Sequence, residues 1–349
     1  MIQLRFDKDK CSKCKPVSCL TKCQYINFDV KSARTEWLKI ISGGDSFVLE
    51  ACTTCYACEE YCPHGNHPFY MIVDRQEQKG ILPAPRPIVT MWVNQCQPVG
   101  KYMVGMLQEK ALSYCLLPQF NILAHGKLFQ DIEYSVIVGQ EFFCNAVFLH
   151  YAKLSLIRER LPIILENIKK LGIKELVCLH DECYATYTSI APAYGIEVPF
   201  KPVHYFEYLL EQLNKLRSQV NPLNLKVAYQ RNCSTRLIPQ IDHFVDDIFS
   251  AIGVERIKRK YDRQTALCCG EIFRMGMGPD LADDVQKRNI DDMLESGAEY
   301  VVFNCPACWD SLADKVAARG LKPIHMIDLC RLAIGEGQSL QLSKMEAGV

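Results

Sequence analysis

The chain has 349 residues, and its 40 basic and 40 acidic side chains give a formal net charge of zero. This balance gives no reason to expect nucleic acid or an anionic membrane surface as a partner. Nineteen cysteines are many more than an ordinary globular domain carries, and the 49% of hydrophobic residues is enough for buried cores.

The N-terminal sequence MIQLRFDKDK lacks the apolar core of a signal peptide, and no apolar run reaches the ~18–20 residues that span a bilayer. We therefore expect a cytoplasmic, reducing setting, in which cysteines serve metal or redox chemistry rather than a disulfide framework. Any membrane association would come through a partner subunit, without a direct membrane span.

Residues 1–80 contain eight cysteines in two sets. The second set has the spacing of the bacterial ferredoxin run, in which three cysteines bind one cubane and the fourth binds the other cluster of a pair. The first set departs from this spacing by two extra residues and has Gln24 where proline is usual. This cross-over predicts two 4Fe–4S clusters, one bound by Cys11, Cys14, Cys19 and Cys62 and the other by Cys52, Cys55, Cys58 and Cys23.

The segment between and after these sets has helical patterns. Residues 31–49 place Trp37, Ile40 and Ile41 on one side before Gly43 and Gly44 break the run. Another helix is predicted to follow His67-Pro68 and to end at Gly80. We therefore expect a mostly helical two-cluster domain over 1–80, followed by a proline-rich linker over 81–87 (ILPAPRP).

The remainder contains an internal repeat. Residues 145–184 align with 270–309 without a gap, and PVHYFEYL (202–209) matches PIHMIDLC (323–330). Upstream, the predicted strand in 88–96 (IVTMWVNQC) is paired with 226–233 (KVAYQRNC). The repeat predicts two homologous α/β domains over 88–221 and 222–335, each alternating three strands with three helices, and a tail over 336–349.

In the second copy, Ser234 is expected to cap a helix that runs to Gly253, and Pro279 to open another that ends before Gly297. Residues 226–229 and 300–304 read as buried strands. Because ligand sites lie at the carboxyl ends of strands in open α/β sheets, two strand ends should deliver cysteines to one edge.

The second copy contains five cysteines in a regular pattern, and two of them are adjacent. Adjacent cysteines can bind different metal atoms, and five thiolates are one more than a single cubane needs. The set is Cys233, Cys268, Cys269, Cys305 and Cys308. A structural zinc site with a spare cysteine is the alternative.

This pattern resembles the cysteine-rich (CCG) domain of heterodisulfide reductase and its relatives. The segment CTTCYACEEYCPHG (52–65) is also similar to the ferredoxin-like subunit of that family. The resemblance implies a fused form of the two subunits, that is, an α-helical two-cluster ferredoxin module followed by two α/β CCG domains. It also implies that the five cysteines hold a noncubane 4Fe–4S centre at which a disulfide is reduced.

The first copy has kept only part of the pattern. Phe143 replaces one cysteine of the pair and His180 replaces another. The remaining set is Cys96, Cys144, His180 and Cys183, which could bind zinc, hold a cubane with one histidine ligand, or be metal-free core residues. The resemblance therefore implies one noncubane centre, in the second copy. The other cysteines, Cys115, Cys178 and Cys330, are expected to pack in the core.

No G-x-G-x-x-G or P-loop fingerprint is present, so nothing indicates a flavin or nucleotide in this chain. Cubane clusters carry single electrons, whereas disulfide reduction needs two. The electrons should therefore come from, or go to, a partner redox subunit, for which the candidates are a flavoprotein and a membrane cytochrome.

Three functions remain open: an enzyme subunit that reduces a disulfide-type substrate, an electron-relay subunit, and a scaffold with structural clusters. In the first, Arg274, Arg231 or Arg236 would attract an anionic thiol, and the glycines of 274–278 would form a mobile loop near the centre. The alternative is that this segment is a tight cover.

Overall fold

The computed structural model describes residues 6–337, and its first part, up to residue 80, contains helices without strands. The helices are α1 (Lys8–Ser12), α2 (Ser18–Thr21), α3 (Val30–Ser42), α4 (Val48–Ala51), α5 (Ala57–Tyr61) and α6 (Pro68–Lys79). Asp29 caps α3 by accepting a hydrogen bond from Ser32 N, and Gly43 ends it in the left-handed conformation. The two predicted helices are confirmed, although the first ends at Ser42 and residues 48–51 form a separate turn.

The second part is built on a five-stranded sheet with the order β1-β3-β2-β4-β5, in which β1 is antiparallel to β3 and the other pairs are parallel. Its elements are α7 (Arg86–Gln95), β1 (Tyr102–Val104), β2 (Lys110–Ser113), β3 (Val136–Gly139), α8 (Leu154–Lys169), β4 (Glu175–Cys178), α9 (Asp181–Ala185), a π-helical turn (Thr186–Ile190), α10 (Ala191–Ala193), β5 (Lys201–His204) and α11 (Tyr205–Lys215).

The third part is built on a four-stranded parallel sheet with the order β7-β6-β8-β9. Its elements are β6 (Leu225–Tyr229), α12 (Asp242–Ala251), β7 (Val254–Arg256), α13 (Glu271–Met277), α14 (Pro279–Glu295), β8 (Tyr300–Phe303), α15 (Pro306–Ala317), β9 (Lys322–His325) and α16 (Met326–Ala333). The two sheets share one hydrophobic core, in which α11 and α12 pack together. From residue 338 onward, the expected tail lies outside the described residues.

The two sheets correspond strand by strand. In the first, β4 lies between β2 and β5, and in the second, β8 lies between β6 and β9. Glu175 pairs with Lys110, and Tyr300, which is 125 residues later, pairs with Val227. Strand β2 is therefore the structural counterpart of β6.

The predicted strand in 88–96 is wrong, because residues 86–95 form helix α7. Pro87 lies in the first turn of α7, where its missing N–H is not needed. The central place in the sheet that the alignment assigned to 88–96 is occupied by β2, whose Ala111, Leu112 and Ser113 are fully buried.

The helix expected from Ser234 begins only at Asp242, after two short 3₁₀ turns. Pro239 lacks an N–H and its ring would clash with a preceding carbonyl, so an α-helix cannot run through this position without a kink. The helix ends as predicted before Gly253, which has a φ of 66°. Strand β7 follows directly, between the two predicted helices, where the predicted alternation of strands and helices places a strand without giving its bounds.

The proline-rich segment before α7 lies against helix α13 of the third part. A β-carbon built on Gly276 would collide with the carbonyl oxygen of Pro83, so only glycine permits this approach. Within residues 6–337, no helix is both long enough and apolar enough to span a membrane.

A buried ion-pair cluster joins the helical part to the second sheet. Arg231, whose side chain is fully buried, donates from Nη1 and Nη2 to the two carboxylate oxygens of Glu60 at 2.6 and 2.8 Å. Arg236 donates to Glu60 at 2.9 Å, and Asp242 pairs with Arg231 from the other side at 2.9 Å. Because Glu60 is on α5 and Arg231 follows β6, the cluster fixes two cysteine-bearing segments against each other.

Substituting Glu60→Ala should leave two buried guanidinium groups short of a partner, at a cost of about 3–5 kcal/mol. We expect the midpoint of thermal unfolding to fall by about 6 °C or more. Asp45→Ala is the matched control, since Asp45 pairs with Lys79 at 2.6 Å but its side chain is 98% exposed. The midpoint of the control should not change. Equal shifts in the two variants would contradict a specific role for the buried cluster.

Candidate metal and electron-transfer site

The structure brings three cysteines of the first set together with the last cysteine of the second. Burial raises the pKa of Cys19 well above its usual value, and the neighbouring Cys11, Cys62 and Cys14 raise it further. The cysteines near one another are thus Cys11, Cys14, Cys19 and Cys62. This grouping is the one expected from the cross-over rule, and cluster ligation remains a prediction.

The other four cysteines of the helical part lie around one cavity with apolar walls, which include Leu20 and Phe69. Burial raises the pKa of Cys52 to about 12, with a further contribution from Cys55 and Cys23. The cysteines that line the cavity are Cys23, Cys52, Cys55 and Cys58, together with Cys19 of the neighbouring set.

Asn66 makes two hydrogen bonds to sulfur that the sequence did not indicate. Its side-chain amide donates to Cys11 Sγ at 3.0 Å, and its backbone N–H donates to Cys62 Sγ at 3.3 Å. Asn66 is 1% exposed. Hydrogen bonds to ligand sulfur orient the ligand and tune the potential of a cluster.

The five cysteines of the second sheet lie at one sheet edge, as predicted from the strand ends. Cys233 follows β6, and Cys305 lies between β8 and α15, whose first turn contains Pro306. Cys268 and Cys269 precede Gly270, whose φ of 87° turns the chain into α13. The sulfurs form one continuous series of neighbours: Cys233, Cys268, Cys269, Cys308 and Cys305.

The pKa values of neighbouring thiols in this series shift in opposite directions. A hydrogen bond from Cys268, opposed by burial and assisted by His150, lowers the pKa of Cys233 to about 6. Hydrogen bonds to Cys233 and Cys269 raise the pKa of Cys268. A group of buried thiols that share protons in this way is suited to metal, because bound metal ions displace the protons. The donor set therefore fits an iron–sulfur centre.

The second four-cysteine set is adjacent to the five-cysteine set. A thiolate at Cys233 lies close enough to Cys55 to raise the pKa of Cys55, although burial of Cys55 is the larger cause. Tyr25, two residues after Cys23, accepts a hydrogen bond from Cys268 N at 3.0 Å, and its ring packs on Phe273 with centroids 5.5 Å apart. Tyr25 thus joins the two sets directly.

His150, which lies in the connection between β3 and α8, also reaches the five-cysteine set. Its Nδ1 pairs with the Thr54 hydroxyl at 2.9 Å, and its Nε2 faces Cys233 Sγ at 3.8 Å and Glu182 Oε1 at 3.7 Å. Tyr56 stacks on its ring at 4.6 Å. No sequence pattern marks His150, which in the repeat alignment falls opposite Met275 rather than a cysteine.

A buried carboxylate on α9 holds the residues that precede two of the cysteines. Asp181 Oδ2 accepts hydrogen bonds from Asn304 Nδ2 at 2.6 Å and from Asn232 Nδ2. Its Oδ1 accepts from His204 Nε2 at 2.7 Å; His204 Nδ1 is itself an acceptor for Phe206 N, which places the proton on Nε2. The carboxylate therefore fixes the backbone just before Cys233 and Cys305.

The expected set in the first copy needs one correction. The ligand atoms of Cys115, Cys144, His180 and Cys183 all lie within 4.8 Å of one another, and Cys96 is not in this group. Cys96 ends helix α7, whereas Cys115 follows β2, the true counterpart of β6. Cys115 is buried in the apolar core, as expected, and it also belongs to this compact group, which the sequence analysis had not predicted because it placed the strand in 88–96.

The three arginines that were candidates for substrate binding are engaged in ion pairs. Arg231 and Arg236 are buried against Glu60, and Arg274 pairs with Asp283 at 2.6 Å. The predicted mobile loop at 274–278 is mostly helix α13, which ends at Met277. Of the two interpretations of this segment, the structure favours a cover over the five-cysteine set.

Replacing Asp181 by asparagine should destabilise the protein. The new side chain would present one carbonyl oxygen and one amide NH₂ group to the three donors, which belong to His204, Asn232 and Asn304. Each buried donor left without an acceptor costs about 1–3 kcal/mol. We expect Asp181→Asn to lower the midpoint of thermal unfolding by several degrees, measured by circular dichroism. The control, Asp131→Asn on the exposed surface, should unfold like the wild type. An unchanged midpoint for Asp181→Asn would mean that the carboxylate does not fix this edge.

Comparison with known proteins gives one family match within the chain. Residues 227–313 match the model of the cysteine-rich domain named CCG. This segment contains all five cysteines from Cys233 to Cys308.

Three curated proteins are similar to longer parts of the chain. One subunit of the fumarate reductase (CoM/CoB) of Methanothermobacter marburgensis is 21% identical over 364 residues, covering 92% of this chain and 71% of the relative. One subunit of the dihydromethanophenazine:CoB–CoM heterodisulfide reductase of Methanosarcina barkeri is 23% identical over 191 residues, covering 52% and 46%. The EtfAB:quinone oxidoreductase of Syntrophomonas wolfei is 22% identical over 339 residues, covering 84% and 45%.

The chain spans about half the length of the last two relatives, so the similarity is partial. All three relatives nevertheless have names that describe redox reactions. The chain carries a CCG cysteine-rich domain and is similar, at low identity, to a heterodisulfide reductase subunit and to related oxidoreductases.

Proposed function

We propose that the chain is an iron–sulfur subunit of a heterodisulfide-reductase-like oxidoreductase complex. It passes electrons from a partner subunit through two 4Fe–4S clusters to a noncubane centre that reduces a disulfide-type substrate. The clusters are bound by the two four-cysteine sets of the helical part, and the noncubane centre by Cys233, Cys268, Cys269, Cys305 and Cys308. The partner is a flavoprotein or a membrane cytochrome.

The observation that carries this proposal is the order of the three cysteine sets. Cys62 and Cys19 belong to the set furthest from the CCG domain, Cys55 lies beside Cys233, and Tyr25 accepts a hydrogen bond from Cys268 N. Electron transfer needs short distances between successive centres, and the contacts between neighbouring sets support this order of transfer. A chain of single-electron centres also allows a two-electron disulfide reduction to be divided into steps.

The protein's own residues contribute by excluding water and fixing the ligands. Cys268, Cys269 and Cys308 are 8, 5 and 2% exposed, whereas Cys233 and Cys305 are partly exposed. A substrate sulfur would therefore approach from the side of Cys233 and Cys305. That is also the side on which Asp181 holds the preceding asparagines.

We further propose that the chain has four functional segments: a helical two-cluster domain over 1–80, a linker over 81–87, an incomplete CCG domain over 88–221, and the complete CCG domain over 222–335. The shared strand order and the constant offset of 125 residues between β4 and β8 support the two copies. Since Phe143 and His180 replace two cysteines, only the second copy forms a noncubane centre.

A second function, electron relay without a substrate, is favoured by a different observation. Arg231 and Arg236 are paired with Glu60 and Asp242, and Phe273 of helix α13 belongs to the same hydrophobic cluster as the adjacent pair of cysteines. These features leave fewer groups to bind an anionic thiol. In this version the same centre delivers its electrons to a further redox partner.

The variant Cys269→Ala should lose the noncubane centre and its iron, while both cubane signals remain in the electron paramagnetic resonance spectrum of the reduced protein. The matched control is Cys330→Ala, since Cys330 is fully buried but lies in the apolar core shared by the two sheets. It should keep the full iron content. If Cys269→Ala also kept the full iron content and an unchanged spectrum, the assignment of the centre would be wrong.

The oxidised protein, purified anaerobically and titrated with a panel of thiols and their disulfides, should distinguish the two functions. A paramagnetic signal that depends on the thiol and is absent from Cys269→Ala would support substrate reduction at the centre. A spectrum that is indifferent to every thiol, with cubane signals intact on reduction, would support the relay.

A further inference from the structure

We propose that Cys115, Cys144, His180 and Cys183 bind a single Zn²⁺ ion in a closed, tetrahedral site. This site is separate from the three iron–sulfur sets and does not depend on the function proposed for them. It differs from the set that the repeat alignment suggested, because Cys115 takes the place of Cys96.

The spacing of the four ligand atoms fits one ion. Cys115 Sγ and Cys144 Sγ are 3.7 Å apart, and Cys183 Sγ is 3.9 Å from His180 Nδ1. Tetrahedral zinc with Zn–S bonds of about 2.3 Å places its sulfur ligands about 3.8 Å apart. Across the described residues 6–337, no other three cysteine, histidine or carboxylate ligand atoms are this compact. The iron–sulfur sets are wider, as expected for ligands that bind different iron atoms.

The elements of the first sheet explain why these four residues meet. Cys115 lies just after β2, Cys144 follows the segment after β3, and His180 and Cys183 flank the start of α9 after β4. All three strands are adjacent and parallel, so their carboxyl ends lie at one edge. One ion there would tie three separate loops together.

Burial gives a physical reason for a cation. Cys115, Cys144 and Cys183 are 1, 0 and 0% exposed. Thiolates enclosed in this way need a positive charge beside them, and a zinc ion would supply it.

The surroundings of His180 complete the site. With Nδ1 directed at the sulfurs, His180 Nε2 faces Glu182 Oε2 at 3.9 Å. Zinc-binding histidines typically direct their second ring nitrogen at a carboxylate, which fixes the ring and its tautomer. Four protein ligands leave no open position for water or substrate, so the site is structural rather than catalytic.

Cys115→Ser and Cys96→Ser form a matched pair for the test. Both cysteines are buried at the same end of the first sheet. They are neighbours, since a thiolate at Cys115 raises the pKa of Cys96, after the larger effect of burial. Only Cys115 belongs to the compact group. The full-length protein and both variants would be purified without added zinc, treated with a chelator, and analysed for zinc and iron by mass spectrometry.

The wild type and Cys96→Ser should each retain about one zinc per chain, and Cys115→Ser should bind zinc at least about tenfold more weakly. Iron should be the same in all three proteins. Zinc X-ray absorption of the wild type should give three sulfur ligands at about 2.3 Å and one nitrogen at about 2.0 Å. This measurement tests the ligand types even if Cys115→Ser does not fold, and retention of zinc by Cys96→Ser shows that Cys96 is not one of the three sulfur ligands.

Three results would overturn the proposal: a wild type without zinc, a zinc shell that does not contain three sulfurs and one nitrogen, or loss of zinc from Cys96→Ser with retention in Cys115→Ser. None of them bears on the iron content of the Cys269→Ala variant. Failure of the zinc site and failure of the proposed function can therefore be told apart.

Discussion

The buried carboxylate of Asp181 connects the two sheets at the point where their cysteine-bearing strands end. It accepts hydrogen bonds from Asn232 and Asn304, each of which directly precedes a cysteine of the CCG domain. A carboxylate in a dry interior binds its donors strongly and in a fixed direction, and unpaired donors there are costly. A residue of the part built on the first sheet thus helps to shape the cysteine-bearing edge of the second sheet, which is a physical reason for the two sheets to stay packed together.

The same principle applies between the helical part and the second sheet. The Glu60 carboxylate lies between Cys58 and Cys62 in sequence and pairs with Arg231, two residues before Cys233. The contacts of Asp181 with Asn232 and Asn304, and of Glu60 with Arg231, thus all involve residues that lie close to a cysteine in sequence. The positions of the cysteine sets are consequently coupled to one another through a few buried polar groups.

Much of this arrangement could be predicted from sequence, because its signals are local. The spacing of Cys52 to Cys62 and the glycines at Gly43 and Gly80 each depend on a few neighbouring residues, and the gapless repeat needs only an alignment of the chain with itself. The prediction for 88–96 failed because a short apolar run with β-branched residues suits a strand or a helix equally, and the sheet decides between them. Once β2 is identified as the central strand, Cys115 replaces Cys96 without further assumptions. The three-residue strands β1 and β7 are too short to produce a periodic pattern.

The groups that join the parts could not be found in this way. Asn66, Tyr25 and His150 contact partners that are 55, 243 and 96 residues away in sequence. Each is a single polar residue without a pattern around it, so its role depends wholly on tertiary packing. Only the packed structure identifies such residues as neighbours of the cysteines.

The contact between Gly276 and Pro83 has a consequence for how such a protein works. Many redox proteins carry a cluster on a swinging domain, which picks up an electron at one site and delivers it at another. A linker that can move in this way needs a free surface on all sides, whereas here the carbonyl of Pro83 is pressed against a helix that covers the five-cysteine set. Under the proposed function, the helical part would therefore act as a fixed conductor rather than a mobile carrier, and a redox partner would dock at its outer end.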